Sequence, residues 1–395
     1  MKIHEINGNE TLPKIAEKYG VHEEYLARIN GIEGGTVAEG EELLVLCPTR
    51  VHTAKHGDTV ERLCMRYRVR KCDLLAQNPE LCTGKLRAGQ RIALKLGERS
   101  HGMAATNGYI YKGTTLDALR MRFPYMTYAT FACYTADERR IHRIFDETEL
   151  LEEAKKASKI PLLRIHDSWG ERYKEHDNLK PFYEEIIELA KKSGYKGVCL
   201  NSSAFSNSAN EYSHFIVNLK KSMIGSDLIL IIECDEKTPF EFCDLADGSV
   251  LSYTKLWEND PPSFELGERK AIADFACECE SVKSFIELPS FARLGDGFVE
   301  IEDAVKAGRE VAKHVVCDHD LKTISFETRQ GKCTYPSLSN IKAVLELLSE
   351  YGYMGISFDV MRTPSVYLSM FNAMFKSVNY TASTSREGCS RELNA

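Results

Sequence analysis

The sequence predicts an α/β protein: a (β/α)8 TIM barrel with a small α+β insertion, preceded by two βααβ units. Three observations carry this reading. The opening hundred residues contain an internal repeat, and from Asn107 onward apolar strands alternate with amphipathic helices. The alternation is broken once, before the last strand, by an extra helix and a hairpin. The expected parts are residues 1–48 and 49–97 for the two units, 98–377 for the barrel, and 378–395 for a polar, disordered tail.

The first copy of the repeat opens with Lys2-Ile3-His4 and turns at Gly8-Asn9-Glu10-Thr11. Leu12, Ile15 and Ala16 then follow at helical spacing. A second helix carries Leu26 and Ile29 and ends at Asn30, and a strand closes the unit over Gly40 to Val45. The second copy repeats each step: Val51-His52-Thr53, the turn Gly57-Asp58-Thr59, then Val60 and Leu63, and Leu74, Leu75 and Asn78. It closes with Gly89-Gln90-Arg91-Ile92. Thr after Gly, Asn or Asp suits a turn that becomes a helix N-cap.

These residues resemble the LysM family, module by module. The first copy departs from the pattern at its turn and carries Glu41-Glu42 in its closing segment. LysM modules hold N-acetylglucosamine units of peptidoglycan or chitin between the first turn and the loop after the second helix. The resemblance therefore implies glycan contacts at Asn9, Glu10, Thr11 and Leu12 with Asn30, Gly31, Ile32 and Glu33 in the first copy. In the second it implies Asp58, Thr59 and Val60 with Asn78, Pro79, Glu80 and Leu81. The bland alternative keeps the fold only for protein contacts.

A charged linker is expected over Gly97 to Thr106. The strand candidates are Gly108–Tyr111, Tyr128–Tyr134, Pro161–His166, Gly197–Asn201, Leu228–Glu233, Val250–Thr254, Ser284–Pro289 and Gly355–Val360. Helices are expected over Glu147–Ala157, Leu179–Lys192, Glu211–Met223, Phe264–Cys277 and Leu338–Tyr351. The insertion reads as a helix, Ile301–Lys313, then a hairpin of His314–Phe326 with Lys332–Tyr335.

Chemistry in such barrels sits at the C-terminal ends of the strands. Here the fourth strand runs Lys196-Gly197-Val198-Cys199-Leu200-Asn201-Ser202-Ser203. With Met126 to Tyr134, Leu288-Pro289-Ser290-Phe291 and Gly352 to Phe358, it resembles the family 18 glycoside hydrolases. The nearest likeness is to the LysM-bearing subgroup that cuts spore-cortex peptidoglycan. The family's fourth strand supplies a general acid Glu and an Asp that steadies the substrate acetamido group. The resemblance places Lys196, Asn201 and Ser203 where three family carboxylates belong. A serine hydroxyl does not ionise near neutrality, and general acid catalysis is worth about 10²–10⁴-fold in rate. The sixth-strand motif is also replaced, by Leu251-Ser252-Tyr253-Thr254-Lys255, and Asp359 stands in place of the family's subsite Trp.

Other polar groups are expected at the mouth: His166, Asp167, Glu233, Asp235, Glu287 and Asp359. They could hold a metal or form a relocated acid–base pair, with Glu233, Glu287 and Asp359 the candidate carboxylates. Alternatively they are solvated, or paired with Arg164, Arg293 and Lys255.

A net charge of −7 gives no general attraction to nucleic acid or anionic membranes. The opening residues lack an apolar signal stretch, so synthesis in the cytoplasm is expected, and no apolar run is long enough to span a bilayer. The 13 cysteines show no zinc-type pairs, and the closest two are Cys277 and Cys279. They read as reduced thiols or, more sharply, as cross-linking groups in an assembly that is later oxidised. No cofactor or metal is expected. The leading reading is a peptidoglycan- or chitin-binding protein with an inactive barrel, set in a spore coat, cortex or cell wall with proteins of those layers as partners. The rival is an active glycoside hydrolase with relocated carboxylates.

Overall fold

The computed structural model describes residues 1–82, 86–97, 101–137, 140–167, 179–201, 209–234, 240–252, 263–312 and 314–378. Ser203, Asp235, Lys255 and the expected tail beyond residue 378 lie outside these.

Both N-terminal units are βααβ. In the first, strand Lys2–Glu5 pairs antiparallel with Glu42–Val45 around helices Leu12–Tyr19 and Glu23–Ile29. In the second, Arg50–Thr53 pairs with Arg91–Lys95 around Val60–Tyr67 and Lys71–Gln77. Thr59 caps its helix by accepting from the Arg62 N–H at 3.2 Å. Each unit has its own small core, Ile6, Leu12, Ile15, Leu26, Leu43 and Val45 in the first and Leu63, Leu74, Leu81, Ile92 and Leu94 in the second.

The barrel strands are β1 (Met103–Ile110), β2 (Tyr128–Asp137), β3 (Ile160–Asp167), β4 (Gly197–Asn201), β5 (Ile229–Cys234), β6 (Gly248–Leu251), β7 (Ser284–Glu287) and β8 (Gly355–Asp359). All pair parallel in that order, and β8 and β2 both pair with β1, which closes the ring. Alternation along the strands sorts the apolar residues into two clusters. Tyr109, Tyr128, Leu162, Cys199, Ile231, Val250 and Phe285 fill the barrel interior. Their neighbours, such as Phe131, Leu163, Leu230 and Ile356, pack outward against the helices. Among the described residues, no helix is long and apolar enough to cross a membrane.

Several boundaries differ from expectation, among them β2, which runs on to Asp137, and the helix Glu268–Glu278, expected from Phe264. β1 starts at Met103, inside the expected linker, because β8 pairs with it from Ala105 onward and Lys376–Ser377 pairs with Met103 and Ala104. β6 leaves the ladder at Leu251. β7 stops at Glu287; Leu288 N–H still reaches the Ser357 carbonyl at 2.8 Å, but Pro289 has no N–H to continue. The insertion is larger than a hairpin. Its five-stranded antiparallel sheet adds Phe291–Leu294 and Gly297–Glu300 to Gly331–Pro336, Thr323–Thr328 and Val316–Asp318. The insertion helix is α-helical over Ile301–Ala307 and widens to a π-turn over Gly308–Ala312.

The two units are seated on the barrel. Arg309, on that π-turn, donates to Glu41 at 2.6 and 3.0 Å, to the Asn30 carbonyl at 3.0 Å and to the Gly31 carbonyl at 2.8 Å. The Ser339 N–H donates to Glu42 at 2.8 Å, and Tyr125 donates its hydroxyl to the Ala76 carbonyl at 2.6 Å. Gly40 has φ +85°, and a Cβ there would lie 2.0 Å from the Val315 carbonyl oxygen. Only glycine allows that approach.

Candidate functional site

The C-terminal ends of the barrel strands converge on a ring of polar groups. Arg164 on β3 grips Glu233 on β5 with two hydrogen bonds, 2.6 Å from Nε and 2.7 Å from Nη2. Each side chain is 12% exposed. The guanidinium also lies 5.8 Å from the ring centroids of Tyr109 and of Tyr111, and Cys199 Sγ is 3.4 Å from Glu233. Burial alone would raise the Glu233 carboxyl; the Arg164 charge and its hydrogen bonds outweigh that and hold it below the usual carboxylate range.

Glu287, at the end of β7, behaves in the opposite way. Burial and then the Glu233 charge push its pKa up to about 7, although Ser252 donates to it at 2.8 Å. Asp359 is committed to the backbone: one oxygen accepts from the Met361 and Arg362 N–H groups at 2.8 and 3.0 Å, the other from Arg362 Nη1 at 2.8 Å. Its cation is therefore Arg362, while Arg293 lies on the insertion strand Phe291–Leu294. Asn201 Nδ2 sits 3.0 Å from His166 Nδ1, whose pKa is lowered by burial and by the Arg164 charge. Lys196 is exposed before β4, at the far end of that strand from Asn201. Among the described residues, no three mouth groups bring metal-ligand atoms within 4.8 Å of one another.

The module loops divide into contact and support. Asn30 donates its amide to the Leu26 and Leu44 carbonyls, both at 2.9 Å, and accepts from the Leu44 N–H at 2.7 Å. Asn78 repeats this with Leu74, Ala93 and the Ala93 N–H. Both tie the second helix to the closing strand. Leu12, Ile32 and Leu81 are buried in the module cores. Glu80 pairs with Arg28 of the other module at 2.8 Å, and burial raises its carboxyl. Pro79 opens a 3-10 turn beside it, and Val60 packs against the second core. Asn9, Thr11, Gly31, Glu33 and Thr59 remain exposed.

Glu10 and Asp58 carry a feature that sequence reasoning missed. Tyr19 hydroxyl, His4 and Glu10 form a chain with steps of 3.1 and 3.1 Å, and Tyr67, His52 and Asp58 form its twin at 2.9 and 2.8 Å. Backbone donation from Asn7 and from Lys55 chiefly lowers the two carboxyls. Each member of the second set follows its counterpart by 48 residues, a repeat signal visible in the sequence. The chains fix the first turn against the first strand and helix.

Facing the first module's second loop is a cavity of about 480 Å³, lined by Arg28, Gly31 and Glu33 on one side and by Asp303, Lys306 and Arg309 of the insertion on the other.

The LysM domain model matches residues 4–45 and 52–95. Over 30% of this chain, an autolysin of Enterococcus faecalis is 28% identical across 149 residues, and the chain spans a fifth of that protein's length. The spore cortex-lytic enzyme SleL of Bacillus cereus has the same fold: TM-score 0.73 at 16% identity, over 96% of this chain and 99% of that one. A chitinase from Chromobacterium violaceum matches with TM-score 0.60 at 12% identity, over 69% of this chain and 98% of that one. Residues 4–45 and 52–95 are thus LysM domains, and the chain joins them to a closed eight-stranded parallel barrel that shares its fold with these two enzymes.

Proposed function

We propose that the protein binds N-acetylglucosamine-containing wall glycan through its LysM domains, and that its barrel does not carry out family 18 hydrolysis. The observation that carries this is the state of the mouth. By the family resemblance Asn201 stands in place of a carboxylate and is tied to His166, and Glu233, its register partner on β5, is held in a buried pair with Arg164. An ion pair held by two short hydrogen bonds is poorly placed to exchange protons with a substrate. Bacterial peptidoglycan is the favoured ligand, and a spore coat, cortex or cell wall the favoured setting, with proteins of those layers as partners. The likeness to a spore cortex-lytic enzyme supports that setting.

A second reading has one observation in its favour. Glu287, with a pKa of about 7, stands near Glu233, which is held ionised. Two carboxyls pushed apart in this way resemble the acid and partner of a glycosidase. Purified protein incubated with vegetative and spore-cortex peptidoglycan separates the readings. Sedimentation with the glycan and no soluble fragments by mass spectrometry support the binding protein. Fragments that disappear with Glu287→Gln establish the relocated acid and overturn the inactive barrel.

A further inference from the structure

The short edge strand Val316–Asp318 of the insertion carries Cys317, with His319 two positions on. Cys317 Sγ lies 3.8 Å from His319 Nδ1. Across the gap to the first module stands Glu5, at the end of strand Lys2–Glu5, with Oε2 3.4 Å from His319 Nε2. One ligand atom from each of the three lies within 4.8 Å of the other two. We propose that Glu5, Cys317 and His319 form a site for a zinc-class divalent cation that bridges the first LysM domain and the barrel's insertion.

The donor set selects the cation. Thiolate, imidazole and carboxylate together suit Zn²⁺, whereas Ca²⁺ and Mg²⁺ take oxygen ligands. Tetrahedral Zn²⁺, with bonds of about 2.0–2.3 Å, sets its ligand atoms roughly 3.3–3.6 Å apart, so rotamer adjustments suffice to close the shell. His319 is 71% exposed and Glu5 35%, which leaves an entry path and a fourth position for water. The loop is already shaped, because Asp318 accepts from the Asp320 and Leu321 N–H groups at 3.0 and 2.9 Å.

The charge around the site is acidic. Burial, then the charges of Glu42, Glu5 and Asp318, push the Cys317 thiol up to about 12, so the metal-free side chain is protonated at neutral pH. On binding, a metal–sulfur bond forms, the S–H bond breaks and its proton passes to water, with no change of oxidation state. The same carboxylates draw the cation in.

Full-length reduced protein, stripped with chelator, is titrated with Co²⁺ and then Zn²⁺. The expected result is one Co²⁺ per chain with a thiolate-to-cobalt charge-transfer band, bleached by Zn²⁺. That band is expected to vanish in Cys317→Ser, and affinity to fall at least tenfold in His319→Ala and in Glu5→Gln. Zn²⁺ is expected to raise the melting temperature of the parent protein and not that of Cys317→Ser. His319 is exposed, so its variant serves if Cys317→Ser fails to fold. No band in the parent protein, or one undiminished in Cys317→Ser and His319→Ala, overturns the site.

Discussion

Asn30 and Asn78 hold the same place in their domains and make the same three hydrogen bonds. Unsatisfied buried backbone groups cost about 1–3 kcal/mol each. Asn78→Ala is therefore expected to lose about 3 kcal/mol of stability, seen as faster hydrogen exchange in Lys71–Gln77 and Arg91–Lys95, with weakened glycan binding. At the barrel mouth the informative residue is Glu287. Its pKa in the folded protein, about 7, is above the ordinary 4.5, so between these values the folded state keeps a proton that the unfolded chain has released. Its contribution is full below 4.5 and is lost as pH rises through about 7. Urea unfolding across that window is expected to show a fall of about 3 kcal/mol, largely absent in Glu287→Gln. Pairing of a mouth carboxylate with Arg164 was legible as an alternative, and Glu233 is the one that takes it; which carboxylate it would be was not, because period-2 patterning gives a face and not a partner. The Asp359–Arg362 pair is a local turn at i,i+3 spacing, and the expectation of a more distant arginine or lysine as the cation of Asp359 overlooked it.

Among the elements, those with a strong periodic signal fall within a few residues of their expected bounds; helix Leu338–Glu350, expected to Tyr351, is one. Two of the misses depend on a neighbour distant in sequence, whereas β7 stops at a local proline. β1 is lengthened by Lys376–Ser377, and the strands Phe291–Leu294 and Gly297–Glu300 are recruited by Gly331–Pro336. The π-turn Gly308–Ala312 has no sequence signature, yet it carries the arginine that holds the first module. Segment Glu39-Gly40 makes the reciprocal contact: Val315 N–H donates to the Glu39 carbonyl at 2.8 Å. Gly40→Ala is expected to break this seam. Limited proteolysis checks it, with cleavage expected in the segment between Val45 and Arg50 that joins the two modules, while glycan binding by the second module persists.

At the scale of the whole molecule, the fold and the order of its parts were readable, whereas the seating of the modules on the barrel was not. Nothing in a repeat pattern announces that Glu41 faces Arg309 from 268 residues away. That pair is largely buried, with side chains 10% and 5% exposed. Arg309→Ala leaves Glu41 without its cation, at a cost of about 3–5 kcal/mol. Calorimetry is expected to show the first module melting ahead of the barrel in this variant and with it in the parent protein. Arg28 and Glu80 meanwhile join the two modules directly, at 2.8 Å. The consequence is one of spacing. Two sugar-binding loops on a flexible tether would search a wide range of chain lengths and accept most of them. Loops fixed to one scaffold behave as a gauge: the second contact is made at high effective concentration by a glycan of matching repeat, and scarcely at all by any other. Affinity plotted against oligosaccharide length should therefore rise in a step and not in a slope.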